Sequence, residues 1–244
     1  MSPAAHRVRV VGRGRAGGAF AGALRDAGWD VDHVAGRGAD VVHADDVELV
    51  LLCVPDGRIA ETAARVATED AVVAHVAGSL GLSVLGDHAR RGAIHPLVAL
   101  SDPSSGAAAL RGATFAVAGD PLCHEVVASL GGHAIEVADD HRAAYHAAAV
   151  IASNHLVGLL GQAERVAALA GVPLDAYLGL VRNTIDNVER HGPADALTGP
   201  ASRGDDATIE AHLNSLPAGE HAAYLAGVEL CRTLARGRDD KDRP

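Results

Sequence analysis

Residues 7–20 read RVRVVGRGRAGGAF. A short β-branched run, Arg7–Val11, gives way to Gly12-Arg13-Gly14-Arg15-Ala16-Gly17, and an Ala-rich helical pattern follows from Ala16 to Ala27. A G-x-G-x-x-G set between a strand and a helix has a defined mechanical role. The first glycine makes a tight turn, the second lets the backbone approach a pyrophosphate, and the third lets the helix pack on the strand. The helix N-terminus then presents unpaired N–H groups to the phosphates.

On either side of this loop the same alternation recurs. Strands are expected at Val31–Ala35, Leu49–Val54, Ala71–Val76, Thr114–Ala118 and His133–Val137. Helical patterns fall between them at Arg58–Ala67, Leu82–Arg90 and Pro121–Leu130. Strand then helix, repeated at this spacing, predicts an α/β fold with a doubly wound parallel sheet covered on both faces. The run Glu48–Val54, ELVLLCV, has the continuous apolarity of a central strand.

The character changes at Asp139. Residues 140–170 contain no proline and many helix formers, and Gly171 and Pro173 supply a stop. A helix of about 31 residues would be roughly 46 Å long, which suits the spine of a second domain. Further helices are expected at Leu174–Arg190, Ala207–Ser215 and Ala218–Arg236, with Asp206 capping the second of these and a frayed charged tail. The expected organisation is residues 1–138 as an α/β cofactor domain and residues 139–244 as an all-α substrate and dimerisation domain.

Composition narrows the function. The 21 Lys and Arg face 31 Asp and Glu, a net charge of −10, and aromatics make up 2%. A nucleic-acid binder needs a basic surface and stacking platforms, and neither is present. No uninterrupted apolar run reaches the roughly 18–20 residues of a bilayer span, and the N-terminus shows no secretory apolar region. Cys53, Cys123 and Cys231 form neither a disulfide framework nor a metal pattern, and no H-E-x-x-H occurs among the 14 histidines. The expectation is a cytoplasmic protein acting on a small molecule, with no membrane, nucleic-acid or metal partner.

The cofactor can be specified further. An NAD site places an acid about 20 residues beyond the loop. Here Arg37 stands in that region, where a guanidinium would grip a 2′-phosphate. NADP(H) is therefore expected, held by Gly12, Arg13, Gly14, Arg15, Ala16, Gly17 and Arg37. Val54, Pro55 and Asp56 follow the third expected strand, and Ala77 and Gly78 the fourth, at the edge where α/β sheets bind ligands.

The only lysine, Lys241, lies in the tail, and no G-x-S-x-G elbow is present, so Schiff-base and serine-hydrolase chemistry are excluded. Three polar groups stand out. They are Ile94-His95-Pro96-Leu97, then Tyr145-His146 with Ser153-Asn154, and the loop Ala196–Asp205 containing Thr198 and Arg203. His146, Val150 and Asn154 share one α-helical face at i, i+4, i+8. His146 or His95 is the candidate proton donor, Asn154 positions the reacting oxygen or nitrogen, and Ser153, Thr198 and Arg203 contact substrate, with Arg203 on a carboxylate.

GRGRAGGAF, HVAGS, IHPL, YHAAAVIASN and ALTGPASRGDDATIEAHL together resemble Rossmann-like NADP oxidoreductases whose helical half is a domain of unknown function of the 2520 type. The chain is more distantly similar to pyrroline-5-carboxylate and ketopantoate reductases. The resemblance implies an N-terminal NADP domain and a helical domain of the 6-phosphogluconate dehydrogenase C-terminal-like kind that forms a homodimer. It also implies a site in the cleft between the domains. One departure matters. The Lys four residues before Asn used by ketopantoate reductases is Val150 here, leaving His146 as the substitute acid. The expected activity is NADPH-dependent reduction of a small carboxylate-bearing 2-oxo acid. An imine reductase of the pyrroline-5-carboxylate type is the alternative, and a non-catalytic NADP(H) sensor is the rival from another class.

Overall fold

The computed structural model describes residues 6–36 and 41–241. Two compact units divide the chain, Met1–Ser153 and Asn154–Pro244.

The first unit runs β1 (Arg7–Val11), α1 (Arg15–Asp26), β2 (Asp30–Val34), β3 (Val42–His43), β4 (Leu49–Leu52), α2 (Ile59–Ala63), β5 (Val66–Ala67) and β6 (Val72–His75). It continues through β7 (Arg91–Pro96), α3 (Pro103–Leu110), β8 (Thr114–Gly119), α4 (Leu122–Ser129), β9 (His133–Glu136) and α5 (Arg142–Val150). Seven strands form one sheet in the order β2-β1-β4-β6-β7-β8-β9, and β3 pairs with β5 apart from it. The chain steps from β1 to β2 on one side and returns to β4 on the other. The order therefore reverses at the glycine loop, where such sheets bind ligands.

The centre of the sheet is buried on both faces. Along β4, Leu49 and Leu51 enter one core with Phe20, Trp29 and Phe115, while Val50 and Leu52 enter the other with Ile59 and Leu85. This period-2 division is why ELVLLCV is apolar throughout. Where α1 meets α3 the contact is made by the smallest residues. A Cβ on Gly22 would lie 3.2 Å from the Ala107 Cβ, and one on Gly106 would lie 2.8 Å from the Ala19 Cβ.

Three details differ from the sequence reading. β8 runs antiparallel to β7, pairing Pro96 with Phe115. The eight-residue α3 leaves and re-enters at the same sheet edge, so β8 starts beside the end of β7 and β9 follows it in parallel. β7 itself was not among the expected strands, because Gly92 and Ala93 lack β propensity. Gly92 is required there, since a Cβ would meet the Cys123 Sγ at 2.2 Å. The helix expected at Leu82–Arg90 is only a 3-10 turn, Leu82–Leu85, ended by Gly86 at φ 69°.

The long helical stretch expected from residue 140 is present, but a π turn at Ile151–His155 interrupts it. Its i→i+5 spacing is wider than an α turn. The stripe read at α spacing through His146, Val150 and Asn154 therefore does not carry over. By contacts the division falls at 153/154, which leaves α5 in the first unit. Arg142 on its first turn is completely buried within the first unit. Asp139–Leu169 is also long and apolar enough by composition to cross a bilayer. A search for unbroken apolar runs passes over it, because His146, Ser153, Asn154 and His155 interrupt the run.

The second unit comprises α6 (Leu156–Leu169), α7 (Asp175–Ala196), α8 (Pro200–Arg203), α9 (Asp206–Ser215) and α10 (Ala218–Lys241). Arg165 on α6 makes a two-pronged pair with Glu220 on α10, at 2.6 and 3.0 Å. α7 is kinked at Gly192, ahead of Pro193. Asp205, not Asp206, caps α9, accepting from the Thr208 backbone N–H at 3.1 Å and its hydroxyl at 2.8 Å. Asp206 is free of that task and pairs with Arg232 on α10. The expected frayed tail is helical as far as Lys241.

Candidate active site

Gly12 and Gly17 are glycines because of the protein itself. Gly12 has φ 122°, and a Cβ there would lie 2.3 Å from the Cys53 carbonyl oxygen. A Cβ on Gly17 would lie 1.7 Å from the Gly12 carbonyl oxygen. Gly14 differs. Its φ is an ordinary −79°, and nothing lies within 4 Å of the Cβ it lacks. The open space in front of it is free for an outside group to approach the backbone. α1 begins there with no side-chain cap and no acid in its first turn, so its N–H groups remain available to an anion.

In front of Gly14 opens a cleft of about 440 Å³. Gly14, Arg15 and Ala16 line one wall, Val54, Pro55 and Asp56 the next, and Val76, His95 and Pro96 the far side. These are the carboxyl ends of β1, β4, β6 and β7. A larger hollow of about 700 Å³ lies by α2 and the Leu82–Leu85 turn, but it contains none of the expected site residues. Its strongest polar groups are already engaged: Arg90 donates twice to Asp120, and His88 bonds the Ala63 carbonyl.

The end of β2 fits a phosphate better than a bare ribose. Asp32, the acid within the strand, accepts from Arg9 Nε at 2.7 Å. Past it, Val34, Ala35 and Gly36 carry no carboxylate. Arg13 donates to the His33 carbonyl at 3.2 Å and Arg65 to the Gly36 carbonyl at 3.4 Å, so two guanidinium groups flank this strand end. Arg37 lies outside the described residues. His33, which reads as a surface histidine in sequence, is half-buried and bonds the Gly12 carbonyl at 2.8 Å, bracing the loop.

Deeper along the edge, two side chains meet at Gly78. A Cβ on Gly78 would lie 2.7 Å from His146 Cδ2 and 2.8 Å from both Cε1 and Nε2 of His95. The two imidazole rings are 5.9 Å apart at 74°. His95 Nδ1 bonds the Tyr145 hydroxyl at 2.7 Å, with the rings edge to face at 5.5 Å. Burial, with His146 and Arg142 nearby, pushes the His95 pKa down to about 4, so the imidazole is neutral at pH 7. Asp56 accepts from the Ser79 hydroxyl at 3.2 Å, joining the loops after β4 and β6.

Two further residues were not singled out by sequence reasoning. His75, at the end of β6, is fully buried, and burial likewise lowers its pKa to about 4. Its Nδ1 accepts from the Ala77 N–H at 3.2 Å and its Nε2 donates to the Gly81 carbonyl at 3.3 Å, fixing the Ala77–Gly81 loop. Arg142 is also fully buried. Its nearest carboxylate is Asp139, 3.6 Å from Nε, and none of its three guanidinium nitrogens has a hydrogen-bond partner. His75 stands in an apolar run and Arg142 after Asp139-Asp140-His141, and no local pattern marks either as buried.

His95 and His146 are thus brought together, and the expected cofactor residues Gly14, Arg15, Ala16, Val54, Pro55 and Asp56 share one cleft. Ser153 donates to the Ala149 carbonyl at 2.6 Å. Asn154 lies on the π turn, at the start of the second unit. Thr198 and Arg203 are exposed around α8 in that unit, with Arg203 beside Asp205.

The sheet order, the glycine loop and the cleft at the strand ends define an α/β unit of the doubly wound class, joined to an all-helical unit. Residues 39–100 match a Rossmann-like domain and residues 114–229 match the domain of unknown function DUF2520. Solved structures with a similar fold include three that span almost the whole chain. One is a Bacteroides fragilis protein provisionally assigned as an NADP oxidoreductase, 21% identical, covering 95% of this chain and 98% of its own, with TM-score 0.79. Another is a reductive aminase from Aspergillus terreus in complex with NADPH, 14% identical, covering 96% and 94%, TM-score 0.67. The third is the Plasmodium falciparum pyrroline carboxylate reductase with NADP bound, 10% identical, covering 94% and 98%, TM-score 0.61. No curated protein matches the chain in sequence.

Proposed function

We propose that the protein is an NADP(H)-dependent oxidoreductase that reduces a small carboxylate-bearing 2-oxo acid of the ketopantoate kind. The observation that carries this is Gly14. Its missing side chain is required by nothing in the fold, yet it faces the open cleft at an uncapped helix end. Gly12, Arg13, Gly14 and Arg15 would hold the pyrophosphate, Arg37 the 2′-phosphate, and Val54 to Asp56 with Ala77 and Gly78 the nicotinamide half. Bound there, the reduced cofactor supplies hydride.

The chain's own residues supply the remainder. His95 lines the cleft, so it is the group placed to move a proton, with His146 flanking it across Gly78. Asn154 and Ser153 would orient the reacting oxygen or nitrogen, and Thr198 and Arg203 would bind the carboxylate. Reduction of an imine is a second reading, supported by the fold shared with a reductive aminase and a pyrroline carboxylate reductase.

Titration calorimetry with NADPH and NADH tests the cofactor assignment. Loss of reduced-nicotinamide absorbance against ketopantoate, branched 2-oxo acids and cyclic imines tests the reaction. No binding of either nucleotide at millimolar concentration overturns the proposal, whereas binding without turnover on any of these compounds favours the sensor.

A homodimer formed through the helical unit belongs to the same reading. Val157, Leu159, Leu180 and Leu230 are all more than half exposed. We take these side chains to be covered by a partner, and a second copy of the chain is the proposed occupant. The same partner would cover the bare apolar face of the long helix, with no need for a bilayer.

A further inference from the structure

We propose that Tyr145, acting through His95, is the proton source of the reduction, and that the buried guanidinium of Arg142 is the counter-charge for the tyrosinate that results. This rests on the oxidoreductase reading of the cleft given above.

Three observations support it. The first is the hydrogen bond of 2.7 Å between His95 Nδ1 and the Tyr145 hydroxyl. With Tyr145 donating, the imidazole proton sits on Nε2, which has no other hydrogen-bond partner among the described residues. His95 is also the histidine that lines the cleft. The second is the charge state of His95. With a pKa of about 4 it holds no imidazolium proton at neutrality. A neutral imidazole acting alone would have to become an imidazolate, and simultaneous reprotonation at Nδ1 removes that barrier.

The third is Arg142. It stands three residues before Tyr145 on α5, hence on the same helical face. It is completely buried with three unpartnered nitrogens. Its one carboxylate, Asp139, lies at 3.6 Å and spends its other oxygen on the Leu82 N–H at 2.9 Å. A buried charge so poorly compensated is destabilising, which is intelligible if its intended partner exists only during turnover. Burial raises the Tyr145 phenol above its ordinary value, and Arg142 is the group that pulls it back down.

The step balances as follows. As the substrate carbonyl carbon accepts hydride, its oxygen takes the proton from His95 Nε2. Nδ1 of the same ring takes the hydroxyl proton of Tyr145, so His95 remains neutral in its other tautomer. The phenolate is held beside Arg142 until water returns one proton and the original tautomer is restored. For an imine, nitrogen takes the place of oxygen. The titratable groups around this unit are His75 from β6, His146 from α5, Asp139 from the turn before it, Cys123 from α4 and Asp56 after β4.

The deciding experiment is spectroscopic and independent of turnover. Tyrosinate absorbance is titrated in the full-length protein and in Tyr145→Phe, and the difference gives the Tyr145 ionisation. Arg142→Gln should move that ionisation up by at least one pH unit, and Arg142→Lys should restore most of it. Nitrogen NMR of the imidazoles, with His95→Asn for assignment, should show His95 protonated on Nε2 at pH 7. An unmoved Tyr145 titration in Arg142→Gln, or a His95 proton on Nδ1, overturns the inference. Failure of NADPH to bind would sink the oxidoreductase reading and leave these two measurements unaffected. With ketopantoate as probe, Tyr145→Phe should lower turnover at least a hundredfold with little change in KM, and the basic limb of the pH profile should move upward in Arg142→Gln.

Discussion

Gly14→Ala separates what the fold needs from what a nucleotide needs. No heavy atom lies within 4 Å of the added Cβ and φ is −79°, so the substitution creates no clash and no backbone strain. Two small effects on stability oppose each other. Reduced freedom of the unfolded chain favours Ala by about 0.4–1 kcal/mol, and Ala is a poorer helix N-cap by a similar amount, about 0.5–1 kcal/mol. The net change stays within about 1 kcal/mol, which for a chain of this size moves Tm by no more than about 2–4 °C. Binding responds differently. A methyl group in front of the backbone pushes a phosphate oxygen beyond hydrogen-bond reach, and each charged hydrogen bond lost is worth about 1.5–3 kcal/mol. NADPH affinity should therefore fall about ten- to a hundredfold. Calorimetric titration beside a thermal melt reads both quantities from one preparation, and Gly17→Ala, whose Cβ meets a backbone oxygen at 1.7 Å, should fail to fold. An intact Gly14→Ala protein with wild-type NADPH affinity would refute the phosphate role of the loop.

Arg37→Glu should weaken NADPH binding far more than NADH binding, and equal losses would remove the 2′-phosphate assignment. Lowering the pH should destabilise the protein through His75 and His95. Their folded pKa values of about 4 lie below the unfolded value near 6.5, so the unfolded chain takes up protons first. Stability is full above pH 6.5 and is lost as pH falls toward 4. A drop in Tm on the order of 10 °C between pH 7 and pH 5 is expected, with a shallower slope in His75→Gln, and a flat profile would contradict it. Sedimentation without detergent should give a dimer for the native chain and a monomer for the double variant Val157→Asp, Leu230→Asp; a native monomer would count against the self-association face.

The glycine loop, the paired cores along β4 and the all-helical second half were legible because each rests on local periodicity. The run 48–54 is apolar because its side chains enter two cores, and that is visible one residue at a time. β7 was not legible, since Gly92 answers to Cys123 some thirty residues away. The π turn that displaces the His146–Asn154 stripe has no signature in the YHAAAVIASN sequence. At the site, His95 and His146 could each be suspected from their neighbours, but their convergence on Gly78 depends on strands β6 and β7 meeting α5. His75 is an isolated polar residue in apolar sequence and Arg142 ends the charged run Asp139-Asp140-His141, and only three-dimensional burial makes either conspicuous. Asp205 and Asp206 show how finely a cap is set: both suit the position, and Arg232 takes the one that Thr208 does not.

The Gly22–Ala107 and Gly106–Ala19 seam bears on redesign. It locks the helix that carries the glycine loop against its neighbour with no slack for a larger residue, so that helix has no freedom to tilt. Engineering a switch of coenzyme preference must then work outside that seam, through side chains such as Arg13 and Arg65 that flank the end of β2.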